Sequence, residues 1–167
     1  MGTSKLLGCM MILFSSAGIG TFLGNKTGRR RNLLLLSAQM IGEIVSKLGF
    51  HLLPARELIE EIAGEERFSS LRYLQIFCQK KGQPFPKSWK QAVEEEKSEL
   101  TPEDKELILR LGDVLGAFDL ESQQAELTCL RRQIEQAAGF LEQQEEKEKK
   151  LYPVIGPLIG LAICILL

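Results

Sequence analysis

Between residues 32 and 150 the apolar side chains recur every three or four positions, the period of an amphipathic helix, and no stretch alternates convincingly with period two. Leu33, Met40, Ile41, Ile44, Val45 and Leu48 share one face of a first helix that Gly49 ends, and Phe50 to Pro54 forms the turn. Ala55 to Ala63 follows, with Leu58, Ile59 and Ile62 inward. Phe68, Leu71, Leu74 and Cys78 repeat at near-helical spacing, and Gly82 to Pro86 reads as a loop. Trp89, Ala92 and Val93 begin a short helix that runs into Glu94-Glu95-Glu96. Thr101-Pro102-Glu103-Asp104 is a helix start with a Thr cap, Pro in first position and acids in the first turn. Leu107, Ile108, Leu111 and Leu115 then face inward. Leu120, Leu127, Ile134 and Leu141 recur every seven residues, with Leu130 and Ala137 between them, a heptad seam. The expected fold class is all-α.

The two ends of the chain break this pattern. Residues 6–24 and 151–167 carry no charge and no amphipathic face. As helices they would cover roughly 28 and 25 Å, close to the hydrocarbon thickness of a bilayer. Lys26, Arg29, Arg30 and Arg31 follow the first run, and Lys147, Lys149 and Lys150 precede the second. Cationic flanks stay on the cytoplasmic side, so both borders point to one topology. Residues 1–5 form a short extracytoplasmic N-terminus, 6–24 and 151–167 are transmembrane helices, and 25–150 is a cytoplasmic helical domain. Tyr152 sits where interfacial aromatics gather, Pro153 would interrupt a helix arriving from the domain, and Pro157 would kink the second span. Each run also holds a glycine pair four residues apart, Gly20 with Gly24 and Gly156 with Gly160. Such pairs let backbones pack closely in lipid.

Residues 18–32, Gly-Ile-Gly-Thr-Phe-Leu-Gly-Asn-Lys-Thr-Gly-Arg-Arg-Arg-Asn, also invite other readings. A phosphate loop fails, because Asn25 stands where the glycine before Lys26-Thr27 is required and no strand precedes it. Asn25-Lys26-Thr27 is a formal glycosylation acceptor, but the topology puts it in the cytoplasm. A cleaved signal peptide is the rival to the anchor, with Ser15-Ser16-Ala17 near a plausible cleavage point. Against it, the apolar run continues to Leu23 and three arginines follow.

Composition sharpens the division. The chain has 21 Lys and Arg against 22 Asp and Glu, net charge −1, and every acid lies between residues 25 and 150. Basic residues cluster at the borders and mix with acids elsewhere, which argues against nucleic-acid binding. His51 is the lone histidine, and no CxxC or HExxH occurs. Cys9 and Cys164 fall in the spans, and Cys78 and Cys129 on helix faces, all four as small apolar fillers. Glu60-Glu61 and Glu65-Glu66 read as a solvated face. No catalytic set, cofactor, metal or small-molecule substrate is expected.

Certain strings carry a family likeness. Ser37 to Ile44 with Leu53-Pro54, and Leu109-Arg110-Leu111-Gly112-Asp113-Val114-Leu115-Gly116 followed by Asp119, Gln123 and Leu127, resemble the stage III sporulation protein AB family. So do Lys147, Lys150, Tyr152, Gly156, Gly160, Leu161 and Ile165 to Leu167, whereas Phe85 to Glu99 has no counterpart in the likeness. The resemblance implies a cytoplasmic domain similar to the F domain of type II secretion, an antiparallel bundle of about six helices between two transmembrane helices. It implies a mother-cell protein of the forespore-facing membrane, set in a secretion-like channel complex. Its partners would be the lipid bilayer, other membrane proteins of that complex and a cytoplasmic secretion-type ATPase. A platform that couples this motor to the channel is one reading. A membrane-anchored regulator or sensor whose heptad helix pairs with another coiled coil is the other.

Overall fold

The computed structural model describes residues 26–49, 54–115 and 120–166, with side chains as far as residue 148. All regular structure among the described residues is helical. Helix α1 occupies residues 26–48. It is followed by α2 (Ala55–Ala63), a 3-10 turn (Glu66–Phe68), α3 (Arg72–Gln79), α4 (Phe85–Glu95), α5 (Pro102–Val114) and α6 (Leu120–Leu166). The chain divides into two units, residues 30–139 and a second unit built from 1–29 with 140–167.

The first unit holds the core. α1 contributes Leu34, Met40, Ile41 and Ile44, all fully buried, while Val45 and Leu48 at its end are half-buried. Gly42 lies beside Arg131 and Gly49 beside Gln124, so α1 and α6 run antiparallel here. α2 closes on Leu58, Ile59 and Ile62, as its spacing predicts. Phe68 anchors the 3-10 turn instead of opening a helix, and α3 then buries Tyr73, Leu74 and Phe77, with Cys78 only half-buried. A left-handed backbone at Gly82, φ 80°, turns the chain into α4. α3 packs on α4, and α4 on α5.

Three expectations change. Phe85 and Pro86 belong to the first turn of α4, capped by Pro84, and not to the preceding loop. Proline is harmless there because the first helical N–H groups lack partners anyway. The α6 seam is not a strict heptad: Leu120 is 42% exposed, and Ala138 is buried where Ala137 is half-buried. Its buried positions are 123, 127, 130, 134, 138 and 141, five steps over eighteen residues, or 3.6 per step. That is the period of a straight helix, whose stripe drifts off a seven-residue repeat when no supercoil corrects it. Finally, α6 continues through Pro153 and Pro157 to Leu166 without the interruption expected at Pro153. A proline removes one ladder bond, and a helix of 47 residues keeps the rest.

Among the described residues no helix is long and apolar enough to cross a membrane. Residues 6–24 lie outside the described residues, and of 151–167 only the backbone to Leu166 is described. In the unit formed by the chain ends, Gly28 and Glu145 are neighbours, a Cβ on Gly28 falling 2.8 Å from the Glu145 carboxylate.

Candidate functional site

The most featured surface of the first unit lies between α4 and α5. α5 begins with a reciprocal cap: Thr101 Oγ1 accepts from the Asp104 N–H at 3.4 Å, and Asp104 accepts from the Thr101 N–H at 2.9 Å. The rest of the Asp104 carboxylate is held by Arg30, whose guanidinium donates at 2.6 and 3.0 Å and also reaches Thr101 Oγ1 at 3.2 Å. Burial alone would push this carboxyl up, but the two Arg30 bonds, the Thr101 N–H and the Arg30 charge together hold it below the ordinary value. The carboxylate bond in turn raises the guanidinium. This node joins the start of α5 to α1.

α4 is fixed from two sides. Arg56 of α2 lies over the Phe77 ring, 4.8 Å from its centroid, and donates to Gln83 O at 2.9 Å and Ser88 Oγ at 2.8 Å. Trp89 is 1% exposed and meets Tyr73 and Phe77 edge-on at 5.6 and 5.8 Å, with Phe85 stacked at 6.1 Å. Its indole N–H donates to Ile108 O at 2.9 Å. Helix α5 approaches so closely that a Cβ on Gly112 would sit 2.5 Å from Trp89 Cδ1. Between the helices a cleft of about 470 Å³ remains, with Pro86, Trp89, Leu109 and Gly112 in its walls, Lys87 and Lys90 along the α4 edge and Asp113 on the α5 edge.

Two buried polar features lie behind this surface. Ser37 Oγ donates to Leu33 O at 2.8 Å and bonds the Tyr73 hydroxyl at 2.9 Å, with the Met40 sulfur 3.8 Å from that hydroxyl. Burial drives the phenol well above its ordinary pKa, the Ser37 bond opposing it only in part. Glu96, just past α4, is 2% exposed, and neither carboxylate oxygen has a hydrogen-bond partner among the described residues. Its carboxyl is raised by burial, against which the charges of Lys105 and Arg72 pull.

The basic residues singled out from the sequence have mixed settings. Lys26 and Arg29 are exposed on α1, Arg31 is half-buried, and Arg30 is committed to Asp104. Lys147 is exposed on α6, and Lys149 and Lys150 follow on the same helix. Gly20 and Gly24 lie outside the described residues, and Gly156 and Gly160 are on the α6 backbone. His51 also lies outside them. Among the described residues no three His, Cys, Asp or Glu side chains could together hold a metal ion. Asp104, Glu96 and Trp89 with Gly112 were not singled out as functional from the sequence, and Arg30 was singled out only as a border cation. Only the N3 acid of a capped helix and a glycine inside an apolar string hinted at two of them.

Neither a curated protein nor a solved structure matches the chain. The family model for stage III sporulation protein AB matches residues 5–167, nearly the full length, and the chain belongs to that family.

Proposed function

We propose that this stage III sporulation protein is a non-enzymatic platform, anchored in the membrane through residues 6–24 and 151–167, whose helical unit docks a cytoplasmic secretion-type ATPase of a mother-cell channel complex. The observation that carries the anchoring is the proximity of Gly28 and Glu145. Residue 28 lies four positions after the first charge-free run and residue 145 six before the second, so their contact suits two spans entering one face of one bilayer. The basic borders, Lys26 with Arg29 and Arg31 on one side and Lys147, Lys149 and Lys150 on the other, favour the cytoplasm for everything between. The glycine pairs at 20 and 24 and at 156 and 160 suit close packing of the spans. The platform role draws on the family and on a surface dense in structural contacts.

Solubilising the full chain in detergent from sporulating cells and identifying what co-purifies tests the role. Recovery of a hexameric ATPase with membrane proteins is the expected result. A transcription or signalling factor in their place would overturn it in favour of the regulator. For the topology, a single cysteine near Gly82, in a variant without native thiols, should resist an impermeant thiol reagent in intact cells. Labelling before lysis refutes it.

A further inference from the structure

The geometry points to the α4–α5 cleft as the docking groove for an acidic, apolar-anchored segment of a partner protein, a refinement that rests on the platform reading. Its walls are apolar, from Pro86, Leu109 and the edge of Trp89, with Gly112 pressed against the indole. All charge sits at the edges. Lys87 makes no ion pair among the described residues, and Lys90 reaches Glu94 only at 3.9 Å with its side chain 68% exposed. Asp113 on the opposite edge is exposed and likewise unpaired. An apolar centre bordered by charge is the anatomy of a protein interface. The charge balance selects the occupant: two cations on α4 against one anion on α5 favour a segment with an apolar anchor flanked by carboxylates.

The groove is also preformed. The indole is held by Ile108 and three aromatic rings, and α5 by its cap and Arg30, so docking need not reorganise the walls. Both lysines are exposed, so changing them leaves the core intact.

The test places Lys87→Glu with Lys90→Glu in the full chain in sporulating cells, with Leu109→Ala as a separate variant. Protein level and Trp89 emission should match the wild type, while recovery of one partner protein falls by about tenfold or more for the double variant. Second-site suppressors should then be Asp or Glu to Lys or Arg changes in that same partner. Normal sporulation with an unchanged partner set overturns the docking groove while leaving the platform intact. Suppressors confined to this chain, or a defect matched by lost binding to anionic phospholipid vesicles, overturn it too. Absence of the ATPase from the wild-type complex would instead count against the platform, and the suppressor pattern still reads out the groove.

Discussion

Replacing Gly112 with alanine puts a methyl carbon 2.5 Å from Trp89 Cδ1 and 3.1 Å from Cγ. Carbon atoms rest at about 3.5–4.0 Å, so one side must move by roughly 1 Å. The indole has nowhere to go: its N–H is bound to Ile108 O at 2.9 Å, and Tyr73, Phe77 and Phe85 surround the ring. Overpacking of this kind costs about 1–3 kcal/mol. Loosening the indole bond and its ring contacts adds about 1–2 kcal/mol. Alanine's better helix propensity returns about 1 kcal/mol. The net expectation is a loss of about 1–4 kcal/mol, a melting point lower by about 3–15 °C. Thermal unfolding of the detergent-solubilised chain, followed by far-UV circular dichroism, measures it. Trp89 is the single tryptophan, so a red shift in emission would report displacement of the ring itself. Gly139 is the control, because no atom lies within 4 Å of a Cβ built there, and alanine should stabilise that exposed helical position. A Gly112→Ala protein that melts at or above the wild type with unshifted emission refutes the packing argument.

Three further outcomes follow from other parts of the fold. Arg30→Ala should cost about 2–4 kcal/mol in denaturant, since it strands the buried Asp104 carboxylate. Because that carboxyl is held below its ordinary value, the stability it contributes should be present at neutral pH and disappear as acid protonates it, a dependence that Asp104→Asn abolishes. Glu96→Gln should behave oppositely: the raised carboxyl makes the wild type lose stability as pH climbs past the ordinary glutamate value, so the variant should gain about 1–2 kcal/mol at neutral pH and flatten the profile. Ile134→Ala, at a fully buried α6 position, should cost about 2–5 kcal/mol; unchanged melting with lost partner capture would instead make Ile134 a contact residue.

Local chemistry was readable in the sequence, and long-range chemistry was not. The bounds of α2 and the cap at Thr101 depend on residues within one turn of each other, which propensity and spacing capture. The burial of Trp89, Ala92 and Val93 likewise followed from one helical face. The Arg30–Asp104 pair joins residues 74 apart, and nothing in either neighbourhood announces the other. Arg30 stood among the border cations, where its neighbours Arg29 and Arg31 gave it the same appearance. Glu96 ended an acidic run in which nothing set it apart, yet the backbone turns extended there and buries it. The α6 seam matched a heptad over three repeats because 3.5 and 3.6 differ by little in so short a span, and burial at Ala138 separates them.

The hydroxyl pair between Ser37 and Tyr73 ties together the evolutionary histories of two positions 36 residues apart. The tyrosine depends on the serine more than the serine on the tyrosine. If Ser37 became alanine first, the phenol would be left in the core with only the Met40 sulfur, at a cost of about 1–3 kcal/mol. If Tyr73 became phenylalanine first, Ser37 would keep its bond to the Leu33 carbonyl and little would be lost. A lineage replacing this polar contact by an apolar one therefore has a passable order, phenylalanine before alanine. Relatives caught midway should carry serine with phenylalanine far more often than alanine with tyrosine.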